Sequence, residues 1–268
     1  MLLNFAARAE RNQPNPTSEG RRYRMKRRTL IGWAIFALLA LMIASRIPIV
    51  LSQASFLRGQ QHLDDGRAEA AVAAFRRAIR LRPDFARAHV DLGSAYLRLR
   101  RYTEAEAAFR QAAALQSESC SFCGLGETYY RTNHHAEAEQ AFAQAIKLNP
   151  ADNCAYKWSG RMYYEQERYP QAVEAITREL RLVPNATSYQ YLGNAYAATK
   201  HFDKALAAYQ EAVRLDPRYA EASYALGIAH LALGDRRAVI KECERLRSLD
   251  ARLAARLSNL LKRKRDKE

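Results

Sequence analysis

The sequence predicts an all-α protein: an α-solenoid of six helix-turn-helix repeats with a C-terminal capping helix, preceded by one transmembrane helix. An internal repeat over residues 52–253 and an uncharged apolar stretch at 29–45 are the main observations behind this fold class. Only 11 Gly and 8 Pro occur in 268 residues, and hydrophobic residues make up 49% of the chain. Such a composition disfavours an all-β fold with many tight turns, and it disfavours an unfolded polycation.

The N-terminal 51 residues divide into a tail and a membrane segment. Residues 1–28 have no periodic apolar face and are predicted as a basic, flexible cytoplasmic tail. The following 17 residues are uncharged, which is the lower limit for crossing the hydrocarbon core of a bilayer. Residues 47–51 extend this stretch, so 29–51 is predicted as a transmembrane helix or signal anchor. Because six of the eight residues from Arg21 to Arg28 are basic, the positive-inside rule translocates everything after residue 51.

A cleaved secretory signal peptide is the alternative interpretation of this segment. Met25 can start such a peptide, and Ser52-Gln53-Ala54 offers a small-residue cleavage site. Both interpretations place the repeats outside the cytoplasm. The chain is compact, has an arginine-rich N-terminal flank and has a single predicted span. This arrangement favours a bacterial inner membrane, with the repeats in the periplasm.

Residues 52–253 repeat with a period of 33 or 34 residues. Each unit carries a glycine, then a small residue 12 positions later, and usually a large residue after four more. The three series are Gly59, Gly93, Gly126, Gly160, Gly193 and Gly227; Ala71, Ala105, Ala138, Ala172, Ala205 and Val239; and Phe75, Phe109, Phe142, Ile176, Tyr209 and Cys243. The predicted units are 52–85, 86–118, 119–152, 153–185, 186–219 and 220–253.

The best-kept units also share a leucine before the glycine, a tyrosine after it and a closing proline. Unit three shows the full pattern: Leu125-Gly126, Tyr129, Ala138, Phe142 and Pro150. This pattern resembles the tetratricopeptide repeat (TPR) family. The resemblance implies a right-handed superhelix of stacked hairpins, because one hairpin cannot bury its apolar face alone. The end units depart from the pattern, since His62 and His230 replace the tyrosine.

A capping helix is predicted after the last unit. Leucines recur there at helical spacing on one apolar face, which suits a helix that covers the open end of the stack. These residues are Leu249, Leu253, Leu257, Leu260 and Leu261. Residues 254–268 are accordingly predicted as the end of the capping helix and a basic tail.

The first helices of the units line a concave groove in the TPR family. The resemblance therefore implies a peptide-binding groove in units three to five, formed by Glu127, Tyr130, Arg131, Lys157, Trp158, Arg161, Tyr164, Gln190, Tyr191 and Asn194. Its aromatic and cationic side chains suit a partner segment with acidic and apolar residues. We expect a membrane-anchored scaffold or adaptor that assists assembly of an envelope complex.

Three of the four cysteines are close in the repeat frame. Cys120 and Cys123 have CxxC spacing, and Cys154 lies one unit on, at the position equivalent to Cys120. In an oxidising compartment two of the three can pair; inert thiols, or a redox or metal site, are the other interpretations. A thiol-active or cofactor-handling assembly factor is the corresponding alternative function. The chain has no second CxxC, glycine-rich phosphate loop or nucleophile elbow. We therefore expect no enzyme, no cofactor and no metal.

The net charge of +15 suggests a nucleic-acid partner at first sight. Residues 1–28 and 245–268 each contribute +6, however, which leaves +3 for the whole of 29–244. A nucleic-acid-binding domain needs its basic surface within the fold, so we expect no nucleic-acid partner. A cytoplasmic solenoid whose basic ends touch lipid or RNA is the remaining alternative.

Overall fold

The fold is all-α over the residues that the structure describes. This computed structural model describes Trp33 and residues 46–265, and residues 46–265 form thirteen helices and no strand. Helix α1 is described over 46–64. The others are α2 (Ala68–Leu81), α3 (Ala86–Arg98), α4 (Tyr102–Leu115), α5 (Ser119–Arg131), α6 (His135–Leu148), α7 (Asn153–Glu165), α8 (Tyr169–Leu182), α9 (Ala186–Ala198), α10 (Phe202–Leu215), α11 (Ala220–Leu233), α12 (Arg236–Leu249) and α13 (Ala251–Arg265).

The helices stack in chain order as a solenoid. From α2 onward each helix packs against the next, and the odd-numbered helices from α3 to α11 also contact one another in succession. Every long-range neighbour is thus one or two helices away, as in other repeat proteins. The predicted α-solenoid is confirmed for this part of the chain.

Glycine allows the close packing of the two helices within a hairpin. A Cβ atom on Gly93 would lie 2.8 Å from the ring of Phe109, and one on Gly126 would lie 2.4 Å from the ring of Phe142. Contacts this short are not tolerated, so only glycine lets the buried ring approach the backbone. Phe109 also covers Gly124 of the next unit, where a Cβ atom would lie 2.2 Å from the ring. Its ring therefore joins two consecutive repeats.

Each of the six hairpin turns contains one residue with positive φ. These residues are Gly66, Arg100, Asn133, Glu167, Lys200 and Gly234, with φ between 57° and 83°. The left-handed conformation is easy for glycine and tolerable for asparagine, but it costs other residues about 1–2 kcal/mol. Three of the turns therefore keep a conformation that their residue type disfavours.

The capping helix α13 completes the core of the sixth unit. Cys243 occupies the position that an aromatic ring fills in most other units, and it does not cover Gly227. Leu257 of α13 does so instead: its Cδ2 would lie 2.4 Å from a Cβ atom on Gly227. Leu257 is fully buried, together with Val239 and Leu246 of α12.

The predicted tail, 1–28, and most of the predicted membrane segment, 29–51, lie outside the described residues. In the part of the chain that is described, no helix has both the length and the apolar character needed to cross a bilayer. Helix α1 runs without interruption through residues 51 and 52, where the sequence analysis places the border between membrane segment and solenoid.

Candidate functional site

Six of the predicted groove residues form one cluster across three repeats. We call Tyr130, Arg131, Trp158, Arg161, Tyr164 and Tyr191 the aromatic–cationic cluster. Its centre is the half-buried ring of Trp158, which lies 5.6 Å from the ring of Tyr130. The Cζ atom of Arg131 lies 5.0 Å from the Trp158 ring centroid, and that of Arg161 lies 5.9 Å away. Helices α5 and α7 thus meet through a cation–π stack.

The cluster continues from α7 to α9. The Arg161 guanidinium lies 5.9 Å from the ring of Tyr191, and the rings of Tyr191 and Tyr164 are 5.5 Å apart in an edge-on arrangement. All three tyrosines of the cluster are half-buried. The result is a continuous band of aromatic and guanidinium groups from the third repeat to the fifth.

Both arginines of the cluster form ion pairs with carboxylates of the same chain. Arg161 donates a hydrogen bond to Glu165 at 3.0 Å, and the Tyr130 hydroxyl donates to the same carboxylate at 2.5 Å. Burial and this hydrogen bond raise the pKa of Tyr130 to about 12, so the phenol is neutral at physiological pH. Arg131 pairs with Glu127 at 2.8 Å. Lys157, by contrast, is exposed and has no carboxylate within 4 Å among the described residues.

Lys157 borders a pocket of about 320 Å³ between α7, α8 and α9. Its lining includes Arg161 and Tyr191, so the pocket adjoins the cluster. Ile176 also lines it, at a position where most other units carry an aromatic ring.

Glu179 is a buried acidic residue in the same pocket, and sequence reasoning missed it. It is 2% exposed, and its Oε1 atom accepts hydrogen bonds from Ser188 at 2.6 Å and Asn185 at 3.1 Å. Asn185 also caps α9 by accepting from the Ser188 backbone N–H at 2.8 Å. The carboxylate thus lies at the positive end of α9, which stabilises it.

Gln190 and Asn194 lie outside the cluster. The hydroxyl of Tyr219 donates to Gln190, and that of Tyr209 donates to Asn194 at 2.7 Å. Both line a second cavity of about 420 Å³, beside Tyr224 and the capping helix. The ten predicted groove residues therefore divide between two neighbouring sites.

The structure pairs Cys123 with Cys154 in a disulfide between α5 and α7. Cys120 is free and half-buried, and Cys243 is free and buried. The Cys120 thiol donates a weak hydrogen bond to Glu118 at 3.6 Å. Burial, with that bond, raises the pKa of Cys120, so this thiol is a poor nucleophile near neutral pH.

A carboxylate lies beside the disulfide. The ligand atoms of Cys123, Asp152 and Cys154 are all within 4.8 Å of one another. Asp152 already caps α7 by accepting from the Ala155 backbone N–H at 2.9 Å. While the two sulfurs are bonded to each other, neither is a thiolate, which is the form that binds metals. The oxidised trio is therefore not a metal site.

Family comparisons agree with the repeat architecture. A model described as "Tetratricopeptide repeat" matches residues 56–119 and 123–187. A model described as "TPR repeat" matches residues 193–234. The chain belongs to the TPR family. TPR proteins are generally non-enzymatic scaffolds for protein interactions. No match was found among curated protein sequences.

Solved TPR structures share the fold of this TPR protein. PilF of Pseudomonas aeruginosa is 19% identical with a TM-score of 0.69, over 79% of this chain and 98% of its own. YrrB, described as a TPR protein with an unusual peptide-binding site, is 20% identical with a TM-score of 0.59, over 69% and 98%. The Cut9–Hcn1 structure of the APC/C is 19% identical with a TM-score of 0.66 over 85% of this chain, which spans 45% of that one. At such identities the similarity shows the fold alone.

Proposed function

We propose that this TPR protein is a scaffold that binds a segment of a partner protein along the aromatic–cationic cluster. The observation that carries this proposal is the unbroken band of half-buried rings and guanidinium groups on α5, α7 and α9. Aromatic and arginine side chains dominate binding energy at protein interfaces because they offer a large contact area with little loss of conformational entropy. The YrrB description gives a precedent for peptide binding by this fold.

The partner segment should carry acidic and apolar side chains. Lys157 is the groove cation that no carboxylate of the described chain neutralises, so an acidic residue of the partner can pair with it. The adjoining pocket beside Ile176 and Tyr191 offers room for an apolar side chain. The guanidinium groups of Arg131 and Arg161 lie over the Trp158 ring while they remain paired with Glu127 and Glu165.

Charge reversal in the groove is expected to weaken partner binding. Replacing Lys157 and Arg161 by Glu removes the cation that has no carboxylate partner and breaks the contacts of both side chains with Trp158 and that of Arg161 with Tyr191. We expect affinity to fall by about tenfold or more, which is ~1.4 kcal/mol or more. Pull-down from cell extract followed by titration of the captured partner measures this. Arg181→Glu, an exposed charge reversal on α8, is the matched control and should retain the partner. Equal binding by both variants contradicts the groove assignment.

We further propose that residues 29–51 anchor the scaffold in a membrane, with the solenoid outside the cytoplasm, where it assists assembly of an envelope complex. The uncharged run and the basic N-terminal flank support this. So do the exposed apolar side chains at the start of α1, which are Ile47, Ile49, Val50 and Leu51. Such side chains find an apolar environment where α1 approaches the bilayer.

A topology experiment separates this proposal from a cytoplasmic scaffold. A phosphatase that folds only outside the cytoplasm, fused after Glu268 of the full chain, is expected to be active. The matched control is a fluorescent protein that matures only inside the cytoplasm, fused at the same residue, and it should stay dark. The opposite pair of results would place the solenoid in the cytoplasm. Membrane fractionation of the same fusions distinguishes an uncleaved anchor from a cleaved signal peptide by the size of the product.

A further inference from the structure

We propose that the Cys123–Cys154 disulfide fixes the third and fourth repeats relative to each other and that an external thiol can reduce it in the folded protein. The external thiol attacks Cys154 Sγ. We call this disulfide the lock. The chemistry of this site is independent of peptide binding. Only its consequence for the groove rests on the proposed function.

The two cysteines of the lock differ in accessibility. Cys123 is 1% exposed and belongs to the core cluster that contains Ala138, Phe142 and Met162. Cys154 is exposed at the beginning of α7. A thiolate must approach a disulfide along the sulfur–sulfur axis, so access decides which sulfur is attacked. Solvent reaches the Cys154 side of the bond, and the protein core blocks the Cys123 side.

The disulfide crosses the joint between the third and fourth repeats, where the consecutive helices pack less extensively than elsewhere from α2 to α13. Of the consecutive helix pairs from α2 to α13, α6 and α7 pack least extensively. The disulfide links the preceding helix, α5, directly to α7 across this joint. It therefore supplies a covalent connection where non-covalent packing between repeats is thinnest.

Thiol attack opens the lock in two balanced steps. The external thiolate bonds to Cys154 Sγ, the Cys123–Cys154 bond breaks, and Cys123 leaves with the electron pair and takes a proton from solvent. A second thiol of the same reagent then attacks the external sulfur of the mixed disulfide, which releases Cys154 as a thiol and forms the reagent's own disulfide.

The free cysteine cannot replace the external thiol efficiently. Cys120 lies one helical turn before Cys123, but its raised pKa keeps it in the unreactive thiol form. A dithiol or glutathione-type reagent that approaches from solvent is therefore the chemical class that acts on this site.

Reduction of the disulfide should change the environment of the Trp158 indole ring. Trp158 lies one helical turn after Cys154 on α7, and Tyr130 and Arg131 lie about two turns after Cys123 on α5. The lock and the contacts of Trp158 with Tyr130 and Arg131 therefore span the same two helices. When the bond opens, α7 is free to shift against α5 and to change the environment of the indole ring.

The experiment uses the full-length Trp33→Phe variant in detergent micelles, which retains Trp158 as its single tryptophan. Incubation of the folded protein with glutathione, followed by acid quench and peptide mass spectrometry, should place the adduct on Cys154 in about tenfold excess over Cys123. Dithiothreitol should then shift the Trp158 emission. Cys120→Ser in the same background is the matched control and should behave identically. Cys123→Ser/Cys154→Ser should show the shifted emission without reductant and no response to it.

Three results would overturn the proposal. One is an adduct mainly on Cys123. Another is a disulfide that thiols reduce only after the protein is unfolded, because its role would then be structural stabilisation alone. The third is reduction without any change in Trp158 emission. Since the parent protein supplies all three readouts, the test holds even if the double serine variant does not fold. None of these readouts requires a bound peptide, so a failed groove assignment remains distinguishable.

Discussion

Phe109→Ala is expected to lower the free energy of unfolding by about 3–5 kcal/mol, which is the range for removing a buried phenylalanine ring. Phe109 is 1% exposed and fills the space over Gly93 in its own repeat and over Gly124 in the next. Truncation therefore leaves a cavity that neither glycine can fill. Urea denaturation of the full chain, followed by helical circular dichroism, measures the loss.

The matched control is Leu115→Ala on the same helix. Leu115 is 38% exposed, so its removal should cost about 1 kcal/mol or less. Because contacts in a solenoid are local, hydrogen exchange in Phe109→Ala should rise most in α3, α4 and α5. Equal losses in the two variants, or an increase spread evenly over all repeats, would show that Phe109 does not hold this joint.

Leu257→Ala is expected to cost about 2–5 kcal/mol and to loosen the C-terminal end selectively. Leu257 is fully buried and takes the place over Gly227 that a ring or isoleucine of the second helix takes in other units. Its truncation removes a buried contact between the capping helix and the first helix of unit six. Amide hydrogen exchange should therefore increase in α11, α12 and α13 and stay unchanged in α3 to α6.

Asn259→Ala provides the control for this prediction, because Asn259 is exposed on the same helix. It should leave exchange in α11 and α12 as in the parent. If Leu257→Ala also leaves them unchanged, the capping helix is not what closes the core of the sixth repeat.

The repeat spacing was sufficient to predict helical hairpins that stack as a solenoid. It did not give their internal packing, because the contact of the Phe142 ring with the Gly126 backbone is known only from the structure. The left-handed turn residues were harder to predict. Gly66 and Gly234 carry the expected signal, whereas Arg100, Glu167 and Lys200 do not, and there the packing of the helices overrides local preference.

The candidate site was predictable only to the level of helix faces. The resemblance to the TPR family places Tyr130, Trp158 and Tyr191 on the groove face of the first helices, but it does not give the side-chain distances between helices. Three features of the site depend on those distances. They are the ion pair of Arg161 with Glu165, the hydrogen bond from Tyr209 to Asn194 and the pocket beside Ile176. For the disulfide, spacing left three cysteines as candidates, and the three-dimensional structure selects Cys123 and Cys154.

The way Leu257 fills the sixth unit bears on how such a chain can grow. Leu257 of the capping helix makes the contact over the glycine of the first helix that a side chain of the second helix makes in the other units. A duplicated 34-residue segment could be inserted between earlier units in register, because each such unit offers its neighbours similar surfaces. A repeat added directly after unit six would have to supply its own side chain in place of Leu257 over Gly227. Duplication is therefore simpler between earlier units than between unit six and its capping helix.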